Sequence, residues 1–201
     1  MQQNYLTPQT PQSQVAVTYV LAQTAGDTNI LAIGWNDTTA AIQSVVDSAG
    51  NAYQAAVATF RGSGLSQAIW FAPNIVAAAA GVNQVTVTFD QAAVFVDLRI
   101  TEYARLKSTN PFDAGTSSSG SGINAKTGFV PVSAASELLF AAGMTSATFT
   151  GPGGGYASEV ITNPDGDLVE DAIAATPGSY RATAPLNDGT WLLQLAAFQA
   201  Q

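Results

Sequence analysis

Asn29-Ile-Leu-Ala-Ile-Gly-Trp-Asn36 is apolar on consecutive residues rather than alternate ones, so the element it forms needs cover on both faces. The run is too short and too rich in β-branched residues for a useful helix. Gly26-Asp27 before it and Asn36-Asp37 after it are turn signals. A central β-strand sealed on two sides is the reading that fits, and a layered β protein supplies such a place.

Outward from this strand, 14–20 alternates with Val15, Val17 and Tyr19 on one side, the period-2 mark of a half-buried strand. Segments 42–46 and 53–60, joined by Asp47-Ser-Ala-Gly-Asn51, read as a hairpin. Segment 67–72 is a further strand, and 84–90 with 95–103 reads as an alternating pair with a slip between Phe95 and Leu98. Residues 74–81 are the one stretch with consecutive helix formers and a glycine stop, giving two helical turns at most. The Ser, Gly, Asn and Pro composition of 104–126 reads as a long surface connection. Strands resume at 136–143, 156–161, 168–174, 179–184 and 190–198, separated by glycine- and proline-bearing turns. Residues 1–13, with Pro8 and Pro11 among Gln and Thr, read as an extended N-terminal tail, and 14–201 as a single β-sandwich domain. About twelve strands, with at most one short helix, point to an all-β, two-sheet antiparallel sandwich of jelly-roll type.

One order of elements occurs twice. A buried apolar strand, a Gly-rich turn into a Tyr strand, a short strand and an alternating pair run through 30–34, 50–53 and 84–103, then again through 138–142, 154–156 and 179–198. Residue identity between the halves is too low to establish duplication, and interleaved sandwich strands produce such echoes without it.

Composition narrows function. The formal charge of -8, from fourteen acids and six scattered bases, repels phosphate backbones, so nucleic acid is not an expected partner. No apolar run approaches the ~20 residues of a spanning helix, so membrane insertion is not expected. The start lacks the charged and apolar regions of an export signal, which is read as absent or removed. Low Lys with abundant Thr, Gln, Ala and Gly leans toward an exported bacterial protein, extracellular or at the cell surface.

With no histidine and no cysteine, Ser-His-Asp and Cys-His catalysis and His/Cys zinc sites are excluded. A Ser-Lys pair through Lys107 or Lys126 stays formally open. Glu102, Glu137, Glu159 and Glu170 are the strand carboxylates from which a glycosidase pair would be drawn. Asp165 and Asp167, with Glu170 and Asp171, form the densest acidic patch and could ligate Ca²⁺, although Asn163-Pro-Asp-Gly166 is satisfied as a plain turn, the favoured reading. No other cofactor is expected. Aromatic rings that stack on pyranose faces, with amides for the hydroxyls, are the remaining resource. Trp70 and Phe71 are adjacent on one strand and face opposite ways, so one of them is the exposed ring, and Tyr156 joins them as a candidate ligand-binding residue. Trp35 and Trp191 sit in apolar runs and read as core. Asn36-Asp-Thr38 fits a glycosylation sequon.

Taken together, Pro8-Gln-Thr-Pro-Gln12, Ala25-Gly-Asp-Thr-Asn-Ile-Leu-Ala-Ile-Gly-Trp-Asn-Asp37, Asp47-Ser-Ala-Gly-Asn-Ala-Tyr53, Ser66-Gln-Ala-Ile-Trp70 and Ile161-Thr-Asn-Pro-Asp-Gly-Asp167 give a chain that resembles a domain recurring in large secreted proteins of environmental bacteria. The resemblance covers nearly the whole chain and implies export and a modular β-sandwich. It transfers no catalytic or binding residue. The expectation is a non-catalytic recognition or adhesion module, with polysaccharide or cell-surface glycan as the ligand class. The alternative is a structural subunit that self-assembles into a fibre or surface layer through its N-terminal tail. A carboxylate-dependent glycoside hydrolase is the third.

Overall fold

The computed structural model describes residues 1–201. It contains no helix and fifteen strands in antiparallel sheets, none of them closed into a barrel. The first half carries β1 (Gln2–Leu6), β2 (Gln12–Thr18), β3 (Thr28–Trp35), β4 (Ile42–Asp47), β5 (Gln54–Gly62), β6 (Leu65–Ala72), β7 (Gln84–Ala93) and β8 (Asp97–Tyr103). The second carries β9 (Phe112–Lys126), β10 (Val130–Val132), β11 (Glu137–Thr145), β12 (Ala157–Ile161), β13 (Leu168–Ala174), β14 (Gly178–Tyr180) and β15 (Thr183–Phe198).

The sheets form four layers. A three-stranded sheet, β2-β7-β4, covers one face of a five-stranded sheet, β1-β8-β3-β6-β5. Their shared core holds Val15, Val17, Leu31, Ile33, Trp35, Val85, Val87 and Leu98. The opposite face packs on a second five-stranded sheet, β12-β13-β11-β15-β9, through Ile30, Ala32, Ile69, Phe71, Phe140 and Phe198. The outer face of that sheet carries Leu139, Leu193 and Leu195 beneath the β10-β14 pair and its flanking loops. The quoted stretch is thus buried between two layers, and every residue of β3 is buried. Each large apolar side chain there contributes about 1.5–3 kcal/mol by leaving water.

Several expectations change. Residues 74–81 form no helix: Ala78 bridges to Gln23 and the segment runs as loop. With only two turns available, local propensity could not repay helix nucleation. The Ser/Gly-rich 104–126 is mostly not a connection, because Phe112–Lys126 pairs along β15 as a long edge strand. Small residues suit it: Gly120 lies against the Trp191 ring and Gly115 against Val57, where larger side chains would collide. Neither expected hairpin pairs as one. β4 pairs with β7 and β5 with β6, while β7 and β8 lie in different sheets. Residues 1–13 include Gln2–Leu6, which pairs with β8 in register Gln2↔Glu102 to Leu6↔Leu98 and so forms the edge of the chain's own sheet.

The two halves repeat their strand order. Counted along the chain, β1-β8-β3-β6-β5 and β9-β15-β11-β13-β12 put matching elements in matching places, with β3 and β11 at the centre of each sheet. Across the interface β8 lies over β13, where Tyr103 donates to Asp171 at 2.8 Å and Arg99 to Leu168 O at 2.8 Å. β6 lies over β15, with Gln67 and Gln194 in contact. Since β13 is the counterpart of β6, and β15 of β8, the interface is self-complementary in the manner of a two-fold dimer.

Gly34 marks the close approach of the central strands. A Cβ there would overlap Met144 Sδ. Gly34→Ala is expected to overpack this contact and destabilise the chain by about 1–3 kcal/mol, as read by urea denaturation.

Candidate functional site

At one end of the seam between the halves the loops enclose an open polar cleft of about 240 Å³. The first half contributes Gln9 from the β1–β2 turn, Asn36 just past β3, and Phe95 just before β8. The second contributes Thr145 and Ser146 at the end of β11, with Pro164, Asp165 and Asp167 from the β12–β13 turn.

Phe95 is held outward by its neighbours. Val94 donates its N–H to Asp37 Oδ2 at 3.0 Å and accepts the Asn36 N–H at 2.7 Å, and Val96 is fully buried. Between these fixed points the backbone at Phe95 takes φ +46° and leaves the residue 38% exposed. A bulky residue in the left-handed region is uncommon and costs about 1–2 kcal/mol. The clasp that enforces it centres on Asp37, which also accepts the N–H groups of Thr39 and Ala40, both at 2.8 Å. Partial burial pushes the Asp37 carboxyl up, but these N–H donors outweigh it and hold the group below its ordinary value.

The opposite wall is tied to the first half by Gln9, whose amide nitrogen donates to Asp165 Oδ1 at 2.7 Å. Ser146 Oγ accepts the Thr190 N–H at 3.0 Å and keeps its own hydrogen free for a ligand. Asp167 forms the floor: it is 1% exposed, accepts the Thr145 N–H at 2.9 Å, and its carboxyl is driven well above the ordinary range by burial and then by the charge of Asp97. Asp165 is raised by burial, with Asp97 adding to the shift and Gln9 and Arg99 opposing it.

Behind the floor lies a buried ion pair. Arg99 and Asp97 are both fully buried, with Nε 3.0 Å from Oδ1. Arg99 Nη1 donates to Gly143 O at 2.9 Å and Leu168 O at 2.8 Å, and Nη2 to Gln67 Oε1 at 2.9 Å. Thr162 Oγ1 donates to Asp97 Oδ2 at 2.6 Å. The network joins β8 and β6 of one half to β11 and β13 of the other. Its signal in the sequence was the pair of charges in Val-Asp-Leu-Arg-Ile, out of phase with the preceding apolar pattern. The slip noted at Phe95 is no bulge: β8 begins only at Asp97 and runs in unbroken register with both its neighbours.

The expected ligand-binding aromatics do not meet. Phe71 is 3% exposed and packs edge-on against Phe198 at 5.3 Å, inside the core between the two large sheets. Trp70 is half-buried against the other core, and Tyr156 packs beside the outermost layer with its hydroxyl 3.3 Å from Arg181 O. The four acidic residues also divide. Asp165 and Asp167 share the cleft, whereas Glu170 accepts the Gly153 N–H at 2.7 Å and Asp171 accepts from Tyr103, on opposite faces of β13. No three or more such side chains are grouped to hold a metal ion. Glu102, Glu137 and Glu159 lie elsewhere, the first two engaged by the N–H groups of Thr24 and Ala134.

No family model matches the chain, and no curated protein or solved structure is found similar to it.

Proposed function

We propose that the chain is a non-catalytic extracellular recognition module of jelly-roll type, its four sheets replacing the two expected, that binds carbohydrate in the cleft between its halves. The observation that carries this reading is Phe95, an exposed ring fixed at the lip of a cleft whose other groups are amides, a hydroxyl and carboxylates. A flat apolar face beside convergent polar groups is the chemistry that takes a sugar ring and its hydroxyls. Hydrolysis of a glycan has less support. Asp165 and Asp167 both come from the β12–β13 turn, whereas glycosidases place two carboxyls on opposite sides of the scissile bond. Assembly through the N-terminal segment also has less support, since Gln2–Leu6 already fills an edge of the chain's own sheet.

Phe95→Ala is expected to weaken binding at least tenfold in calorimetric titration with a polysaccharide chosen from a glycan array, with circular dichroism showing the fold retained. Equal binding by the variant, or an array on which the native chain binds nothing, would end the reading.

A further inference from the structure

We propose that the cleft selects glycans free of anionic groups, an inference that rests on the carbohydrate reading above. Asp165 is the half-buried acid lining the cleft; Asp167 on the floor is held toward its neutral form by burial and the charge of Asp97, which is itself paired with Arg99. The single nearby cation balances Asp97 and cannot pair with a ligand. Arg99 is fully buried, and its three nitrogens are committed to Asp97, two main-chain carbonyls and Gln67, so the guanidinium has no freedom to turn outward. None of Arg61, Arg105, Lys107, Lys126 or Arg181 lines the cleft. A carboxylate or sulfate on the ligand would therefore meet Asp165 and no accessible base, on a chain whose formal charge is already -8.

The uncharged groups match a neutral sugar instead. Gln9 uses its amide nitrogen on Thr7 and Asp165 and leaves its oxygen to accept a hydroxyl. Ser146 keeps a free donor, Asn36 offers an exposed amide, and Asp165 can accept from ligand hydroxyls. Anionic polymers such as uronans would have no partner for their charge in this arrangement.

The test uses oligomers of glucan, galactan and mannan, each beside its own C6-carboxylated form, titrated into the full chain by calorimetry. At low ionic strength the neutral member is expected to bind at least tenfold tighter than its carboxylated twin. The gap should shrink severalfold in ~0.5 M salt, where the Debye length falls to a few ångströms. Asp165→Asn should narrow it at low salt as well, with circular dichroism showing the fold retained. A carboxylated oligomer that binds as tightly as its neutral twin, or tighter, overturns the selectivity and leaves the carbohydrate reading standing. If no oligomer of either kind binds, the carbohydrate reading falls and this inference with it. A tenfold gap indifferent to salt also overturns it, since the discrimination would then be one of shape.

Discussion

Arg99→Met is expected to lower the unfolding free energy by about 3–5 kcal/mol, the usual range when one member of a buried ion pair is removed. The size follows from what is left behind. Asp97 would lose the guanidinium 3.0 Å away in a place fully shut off from water. Gly143 O, Leu168 O and Gln67 Oε1 would each lose a donor. Removing the acid as well should hurt less: in Asp97→Asn with Arg99→Met no charge remains to be stranded, and the double variant should recover part of the loss despite carrying an additional change. Urea denaturation of the three variants measures both effects. A double variant less stable than Arg99→Met by the full cost of Asp97→Asn alone would show that the two side chains act independently.

Between pH 5 and pH 8 the protein is expected to lose about 2–3 kcal/mol of stability, the reverse of the usual behaviour of a protein rich in salt-bridged carboxylates. Glu170 is the main source. Burial raises its carboxyl to about 7, against which the Gly153 N–H works and to which Asp171 adds. The folded chain therefore keeps a proton on Glu170 at pH values where the unfolded chain, with an ordinary carboxyl near 4.3, has released it. That stabilisation is complete below the unfolded value and is gone once pH has risen through about 7. Asp167, raised by burial and by Asp97, pulls in the same direction. Asp37 is held low and acts only at more acid pH, where its protonation removes stability. The maximum is therefore expected near pH 4–5. Melting temperatures across this range, for the native chain and for Glu170→Gln, provide the check, and Glu170→Gln should flatten the decline because a glutamine still accepts the Gly153 N–H without titrating.

The sequence was most legible where physical constraint is local. Doubly covered strands announce themselves by unbroken apolar runs, so β3 was readable at 29–36 and β11 at 136–143, each within a residue or two of its observed bounds. Alternation found β2 and the inward face of β7 for the same reason. Pairing was not legible. A turn such as Asp47–Asn51 shows that the chain reverses but not that the reversing strands share a sheet, and here β4 and β5 part into different layers. Nor was β9, whose run of serines and glycines imitates a linker. Its strand character comes from β15 beside it, a partner that propensity does not see. At the cleft, Asp165 and Asp167 were picked out as an acidic patch, but Glu170 and Asp171 follow them in sequence and point elsewhere. Phe95 was passed over because it looked like the first core residue of a strand, while its left-handed backbone turns it to solvent.

The match between the halves makes their differences instructive. With Ile30 of β3 set level with Leu138 of β11, Arg99 stands opposite Ala32 where Ala196 stands opposite Phe140, and Asp97 opposite Gly34 where Gln194 stands opposite Ala142. Two separate, identical subunits meeting this way would have to place the arginine twice, once on each flank of their axis, or forgo it. Joined in one polypeptide, the halves need not be the same: one flank carries the cation and its acid, and the other an amide and a methyl group.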